Sequence, residues 1–171
     1  MYSATAEYAL RAVVYLAQQS PASCTTEQVA EKTGVPAAYL SKILQNMRNA
    51  GIVKTKRGSK GGVTLEGDLE EMTILDIIRA VDPIERIDKC PLGGPKQVQL
   101  CPLHSRLDRA MARLEEEFRN ITVASLIEED RSSSCPFPFS NDQTTHDPAL
   151  IDLTCPIEPD TEAESGEQQT S

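Results

Sequence analysis

Residues 25–65 contain the pattern that most restricts how this chain can fold. Two helical stretches, "TTEQVAEKTGV" and "PAAYLSKILQNMRNAG", are separated only by a short turn at Gly34. They are followed by "IVKTKRGSKGGVTLEG", in which strand-like apolar residues flank a glycine-rich tip. Helix, turn, helix and then a two-stranded hairpin is the order of a winged helix-turn-helix. The sequence therefore predicts a mainly α fold of this type.

Residues typical of helix ends support these boundaries. Ser3 is placed to cap a first helix, and Thr25 with Gln28 fits a capping box at the start of the second. Gly34 suits the end of that helix, and Pro36 suits the first position of the next. A further short helix, "TILDIIRAVD", begins after Thr73.

The second half of the chain predicts one long helix over residues 102–121, followed by the short helix "TVASLIEE". Apolar residues recur along the long helix at spacings of three and four, which indicates a stripe suited to a partner helix. The stripe consists of Leu103, Leu107, Met111, Leu114, Phe118 and Ile121. We expect a single domain over residues 1–130. Residues 131–171 are predicted to be a disordered acidic tail, because Ser, Pro, Asp, Glu and Thr dominate there.

Charge is distributed unevenly along the chain. The formal net charge is -9, yet residues 128–171 alone carry eleven acids and one Arg. Residues 37–62, in contrast, contain six Lys or Arg and no acid. Because segregation of charge matters more than its average for a polyanionic partner, this region predicts an interface for double-stranded DNA.

The residues predicted to contact DNA lie on the hairpin and on the second helix of the helix-turn-helix, on the side of that helix that faces away from the core. A helix of this kind fits the major groove, while a hairpin reaches phosphates or the minor groove. Polar side chains on the helix are suited to base edges, and cations are suited to phosphates. The candidate contacts are Ala38, Ser41, Lys42 and Gln45 on the helix, with Lys56, Arg57 and Lys60 on the hairpin.

The loop over residues 88–104, "DKCPLGGPKQVQLCPLH", combines Cys90, Cys101 and His104. His104 follows Cys101 by three residues near the start of the long helix, so both can face one point. Cys and His together bind zinc or the iron of an iron–sulfur cluster. Three alternatives stay open at this point: a cluster, a structural zinc site, or ordinary loop residues without a cofactor. Cys-Pro pairs add haem as a further candidate.

Other classes of function have little support in the sequence. We find no catalytic set of nucleophile and base, no phosphate-binding loop and no paired acids, so we do not expect an enzyme. The sequence contains no run of 18 apolar residues, so we do not expect a membrane span, and the N-terminus lacks the features of a signal peptide. We expect a cytoplasmic protein, in which Cys24 is a small buried residue.

Four segments together resemble the Rrf-two family of bacterial transcription regulators, which includes the iron–sulfur cluster regulator and the nitric-oxide-sensing repressor. They are "AEYALRAVVYLA", "GVPAAYLSKILQNMRNAGIVKTKRGSKGGVTL", "TILDIIRAVD" and "KCPLGG" with "CPLHSRL". The resemblance covers roughly residues 1–130. It implies a sequence-specific DNA-binding homodimer of winged helices, in which the long helices cross and a cluster is held beside them.

The resemblance also implies a ligand set. Cys90, Cys101 and His104 match family positions, although the middle cysteine of the usual three is missing here. Some members complete the set with a carboxylate from the first helix of the partner subunit, and Glu7 stands at that position. Two Cys, one His and one Glu favour a 2Fe–2S cluster by analogy with other mixed-ligand clusters.

Overall fold

Six helices and one hairpin make up the computed structural model, which describes residues 3–56, 58, 61–91, 99–134 and 137. The helices are α1 (Ala4–Gln19), α2 (Thr26–Thr33), α3 (Ala37–Asn49), α4 (Ile74–Val81), α5 (Pro102–Asn120) and α6 (Val123–Ser132). The strands are β1 (Val53–Lys56) and β2 (Gly62–Leu65). This is a winged helix-turn-helix, so the predicted fold class is confirmed.

Helix α1 lies at the centre of the core. It packs against α2, α3, α4, α6 and β2, while α3 also packs against α4 and β1. The centre of the core is fully buried and almost entirely aliphatic, which accords with the shortage of aromatic residues in the sequence. Its largest buried side chains are Leu16, Leu40, Ile43, Met47, Leu75 and Ile77. This core fixes α3 on one side and the base of the hairpin on the other.

The hairpin, which is the wing of the fold, is attached to the helical body through its second strand. Strands β1 and β2 are antiparallel, with Val53 opposite Leu65 and Lys56 opposite Gly62. Val63 exchanges two backbone hydrogen bonds with Cys24, at 3.0 and 2.7 Å. Gly62 is required here, because a Cβ at that position would lie 2.8 Å from the Cys24 carbonyl oxygen. Cys24 is buried, as predicted, and burial raises the pKa of its thiol.

Four helices begin with a side-chain cap, and two do not. Ser3, Thr25, Thr73 and Thr122 each accept a hydrogen bond from a backbone N–H of the first turn. The caps predicted at Ser3, Thr25 and Thr73 are therefore confirmed, and Gly34 adopts a φ of 67° at the end of α2. The helices α3 and α5 begin at Pro36 and Cys101 without a side-chain cap. Pro36 was predicted to be the first helical residue of α3; it is the N-cap instead, and the helix begins one residue later, at Ala37.

The long helix and the residues after it agree with the sequence pattern where they are described. Helix α5 starts with Pro102 and ends one residue before the predicted end. Helix α6 continues to Ser132, and most of the predicted tail lies outside the described residues. The domain boundary at residue 130 and the disorder of residues 131–171 remain predictions.

Candidate nucleic-acid interface and metal centre

Helix α3 buries one face and exposes the face predicted to contact DNA. Leu40, Ile43, Leu44 and Met47 are buried. The predicted contact residues Ala38, Ser41, Lys42 and Gln45 are all exposed on the other side. The Ser41 hydroxyl donates a hydrogen bond to the Ala37 carbonyl at 3.0 Å, as serines inside helices often do. Its oxygen therefore remains available as an acceptor, while Gln45 keeps both a donor and an acceptor.

A polar cleft of about 370 Å³ lies between this face of α3 and the wing. Ser41, Gln45 and Arg48 line it from α3, and Thr55 and Val63 line it from the two strands. Lys56 is exposed at the end of β1, whereas Arg57 and Lys60 lie outside the described residues. Helix and wing thus present polar and cationic groups towards one side of the molecule.

Cys90, Cys101 and His104 come together, as the sequence predicted that they could. The Nδ1 atom of His104 lies 3.5 Å from the Cys90 Sγ and 3.2 Å from the Cys101 Sγ. One ligand atom from each residue lies within 4.8 Å of the other two. A tetrahedral metal with bonds of ~2.3 Å to sulfur and ~2.0 Å to nitrogen needs separations of roughly 3.5–3.8 Å. The Cys90–His104 separation of 3.5 Å matches this range and the Cys101–His104 separation of 3.2 Å is slightly shorter, so small side-chain movements would let the three groups hold a shared metal.

The start of α5 positions two of these three groups. Cys101 is the N-cap residue with an extended backbone, Pro102 follows at the first helical position, and His104 lies in the first turn. Cys90 is buried and lies near the start of the loop over residues 88–104, while Cys101 and His104 are half-buried. The first N–H groups of a helix lack intrahelical acceptors, so backbone donors of α5 lie next to these two side chains.

Glu7 does not join this group within its own chain. It lies in the first turn of α1 and forms an ion pair with Arg11, one turn further along. Both residues line a different surface, a groove between α1, α2, α4, α5 and α6. The predicted role of Glu7 requires a second subunit and remains a prediction.

This groove is apolar and has a volume of about 740 Å³. Its apolar lining consists of Leu10, Val14, Ile74, Phe118, Ile121, Leu126 and Phe137. The predicted stripe of α5 contributes Phe118 and Ile121, while its other end is open to solvent. Leu103, Leu107 and Leu114 keep 57%, 44% and 37% of their surface exposed. The described chain thus presents both an apolar groove and an exposed apolar face of α5.

The structure adds an ion-pair network that the sequence analysis did not identify. Arg86 donates two hydrogen bonds of 2.7 Å to Asp108, and Glu115 accepts from Arg79 at 3.0 Å and from Arg86 at 3.3 Å. The bonds from Arg86 lower the pKa of the Asp108 carboxyl, and those from Arg79 and Arg86 lower the pKa of Glu115. Hydrogen bonding to Asp108 also raises the pKa of Arg86. Both carboxylates are therefore charged at neutral pH.

None of the helices among the described residues is long and apolar enough to cross a membrane.

Comparison with known proteins identifies the family. A profile of the Rrf2 (Rrf-two) family, described as iron-dependent transcriptional regulators, matches residues 2–129. A protein of Aquifex aeolicus (strain VF5), named as an HTH-type transcriptional regulator, is 26% identical over 131 residues, which are 74% of this chain and 91% of that relative.

Two solved structures show the same fold. The oxidized form of Staphylococcus aureus CymR is 27% identical, covers 75% of this chain and 96% of its own, and has a TM-score of 0.59. IscR of T. potens is 24% identical, covers 80% and 93%, and has a TM-score of 0.66. The family match over residues 2–129 covers most of the chain, including α3, the wing and the Cys–His group. The chain therefore belongs to the Rrf2 family of DNA-binding transcriptional regulators and is not an enzyme.

Proposed function

We propose that the protein is a sequence-specific regulator in the cytoplasm whose DNA binding is controlled by an iron–sulfur cluster held at Cys90, Cys101 and His104. The observation that carries this proposal is the convergence of the three ligand atoms within 4.8 Å at the start of α5. Gain or loss of a cofactor at that position would act directly on the helix that carries the uncovered apolar stripe.

A cluster agrees with the type of groups, and with their number once a second subunit supplies one more ligand. Two thiolates and an imidazole from one chain are too few to enclose two iron atoms, each of which needs two protein ligands in a 2Fe–2S cluster. The partner subunit's Glu7 would supply the fourth ligand, and mixed Cys and His ligation has precedent in Rieske centres. The description of the family as iron-dependent supports iron over zinc.

A homodimer agrees with the two apolar surfaces. Leu103, Leu107 and Leu114 of one subunit would be covered by a second copy, and burial of each Leu contributes up to about 1.5–3 kcal/mol. Two α3 helices in one dimer would then read two half-sites of an operator, as is usual for helix-turn-helix dimers.

For DNA recognition, we propose that Ser41 and Gln45 contact base edges and that Lys42 and Lys56 contact phosphates. Ala38 lies on the same exposed face of α3 and is suited to apolar contact with a thymine methyl. Arg57 and Lys60 complete the proposed set from the wing.

Zinc is the second candidate, because the 3.2 and 3.5 Å separations also suit a tetrahedral zinc ion. One experiment distinguishes the two: wild-type protein purified without oxygen is analysed for absorbance, iron, sulfide and zinc. We expect visible absorbance with iron and sulfide in equal amounts. A colourless protein that contains zinc would support the second candidate, and a Soret band would indicate haem instead.

Variants of the same preparation test the ligand set. Cys101→Ala and His104→Ala should lose the absorbance, and Glu7→Ala should weaken it. The matched control is Cys24→Ala, which removes a thiol that is buried beside the second strand of the wing. Full iron and sulfide in Cys101→Ala, or an equal loss in Cys24→Ala, would reject the proposed ligands.

A further inference from the structure

The segment over residues 83–90 carries Cys90 but has no helix or strand of its own. Its position must therefore be set by other contacts. Ile84 packs against the core, and Arg86 adds a polar contact in which its Nε and Nη2 atoms each donate to a different oxygen of Asp108 at 2.7 Å. The backbone N–H of Ile87 donates to the same carboxylate at 3.0 Å. Two successive residues of the segment are thus held by one side chain of α5.

The spacing of these residues relates them to the metal site. Arg86 precedes Cys90 by four residues, and Asp108 follows His104 by four, one helical turn along α5. The Arg86–Asp108 contact therefore joins the chain that carries one proposed ligand to the helix that carries the other two. A bidentate guanidinium–carboxylate pair fixes both distance and orientation, which a single hydrogen bond or a lysine cannot do.

A second contact restricts Arg86 further. Its Nη1 atom donates to Glu115 at 3.3 Å, and Glu115 also accepts from Arg79 of α4 at 3.0 Å. Glu115 is only 9% exposed although α5 is otherwise mostly exposed. Exposed ion pairs usually contribute little to stability. This arrangement differs because it also binds a backbone N–H and holds a segment that has no regular structure.

We propose that Arg86 is a positioning residue for the metal site, and that its bond to Asp108 holds Cys90 within reach of Cys101 and His104. This inference rests on the proposed function of the three ligands. Without the Arg86–Asp108 contact, Cys90 would sample positions away from Cys101 and His104. Metal binding would then have to restrict Cys90 to one position, at a cost in affinity. Partners that orient metal ligands typically change metal affinity by about 10- to 100-fold.

The first measurement is the affinity of the full-length apoprotein for Co²⁺, followed through its thiolate absorbance. We expect Arg86→Gln and Asp108→Asn each to lower the affinity about tenfold or more, and Arg86→Lys to lower it less because the charge is kept. Arg79→Gln is the matched control, because it breaks the pair with Glu115 and leaves Asp108 bound. In a Cys90→Ala background, Arg86→Gln should have no further effect, which separates positioning from a general loss of stability.

The second measurement needs no metal: the alkylation rate of Cys90 in the apoprotein, resolved by mass spectrometry with buried Cys24 as internal reference. We expect Arg86→Gln to accelerate alkylation of Cys90 and leave Cys24 unchanged. Wild-type protein that fails to bind Co²⁺ through its thiols would overturn the proposed metal site. Unchanged alkylation of Cys90 in both Arg86→Gln and Asp108→Asn, or unchanged Co²⁺ affinity, would overturn the role of Arg86.

Discussion

The exposed face of α3 offers few side chains that can distinguish one base from another. Lys42 and Arg48 are cations suited to the uniform phosphate backbone, and Ala38 has no polar group. Ser41 already donates its hydroxyl hydrogen within the helix, so it acts only as an acceptor towards DNA. Gln45 is the one residue of the five with an amide, which can donate and accept on the same adenine edge. We therefore expect Gln45 to contribute most of the hydrogen-bonded base discrimination by α3, with Ala38 limited to apolar contact with a thymine methyl.

We expect Gln45→Ala to weaken binding to the selected operator roughly 5- to 150-fold, because a bidentate base contact contributes ~1–3 kcal/mol. Ser41→Ala should have a smaller effect, and Lys42→Ala should weaken specific and non-specific binding alike. Operators selected from random duplexes and fluorescence anisotropy provide the measurement. Lys32→Ala, an exposed cation on α2 that lines the apolar groove instead, is the control. Full affinity in both Gln45→Ala and Ser41→Ala would exclude these residues as readers.

Among the elements, α5 carries two distinct groups of side chains on adjacent faces. His104, Asp108 and Glu115 follow each other along one face, which carries one proposed metal ligand and the acids of the ion-pair network. Leu103, Leu107 and Leu114 follow the neighbouring face and are exposed. A change at the proposed metal site and a change in the proposed subunit packing would therefore act on the same helix.

If the stripe of α5 is the interface of the proposed homodimer, Leu107→Glu should convert that dimer to a monomer. The substitution removes an apolar contact from each subunit and places two carboxylates in an apolar interface, where unpaired charge is costly. We expect the dissociation constant to rise by at least about 100-fold, which corresponds to ~2.7 kcal/mol. Light scattering across a dilution series measures this. Arg109→Glu introduces the same side chain on the opposite side of the helix and should leave the dimer intact; an equal effect of both variants would contradict an interface at the stripe.

The elements differ in how well their sequence signals predict them. The caps at Thr25 and Thr73 were predictable because a capping box depends on residues three apart, and the Cys–His group because its members lie within fifteen residues. The ion pairs of Glu115 were not predictable, since its partners Arg86 and Arg79 precede it by 29 and 36 residues. A charged residue on an otherwise polar helix gives no sign of burial by itself. Only the packing of α4 and residues 83–90 on α5 brings these charges together.

At the scale of the whole molecule, opposite charges are concentrated in different parts of the sequence. Residues 37–62 carry only cations, and residues 138–171 carry eight acids without Lys or Arg. A polyanionic tail attached to a DNA-binding domain competes with DNA for the cations and repels the phosphates. Both effects depend on salt concentration, since charges further apart than about 8–10 Å are screened at physiological salt.

Truncation after Phe137 should raise the affinity for non-specific duplex DNA, most at low salt and least above about 0.5 M, because salt screens both repulsion and attraction. The cut spares α6 and Phe137, which lines the groove and donates its N–H to Asp130. Anisotropy over a salt series measures the effect. A full-length variant with the eight acids changed to Asn or Gln separates charge from length and should behave like the truncation. Loss of cofactor or of the dimer on truncation would show that the tail belongs to the sensor.

The distribution of helix caps has a consequence for how the protein responds to its ligands. Four helices complete their first turns with their own side chains, while α3 and α5, which carry the proposed DNA contacts and two of the proposed metal ligands, do not. Their open amides can be satisfied by water or by an anion, and both proposed ligands present anions: a phosphate at α3 and a metal-bound thiolate at α5. In these two helices, a bound anion would replace water at backbone N–H groups that no side chain caps. Part of the interaction at either helix would then come from the main chain, and replacement of a single side chain would leave that part in place.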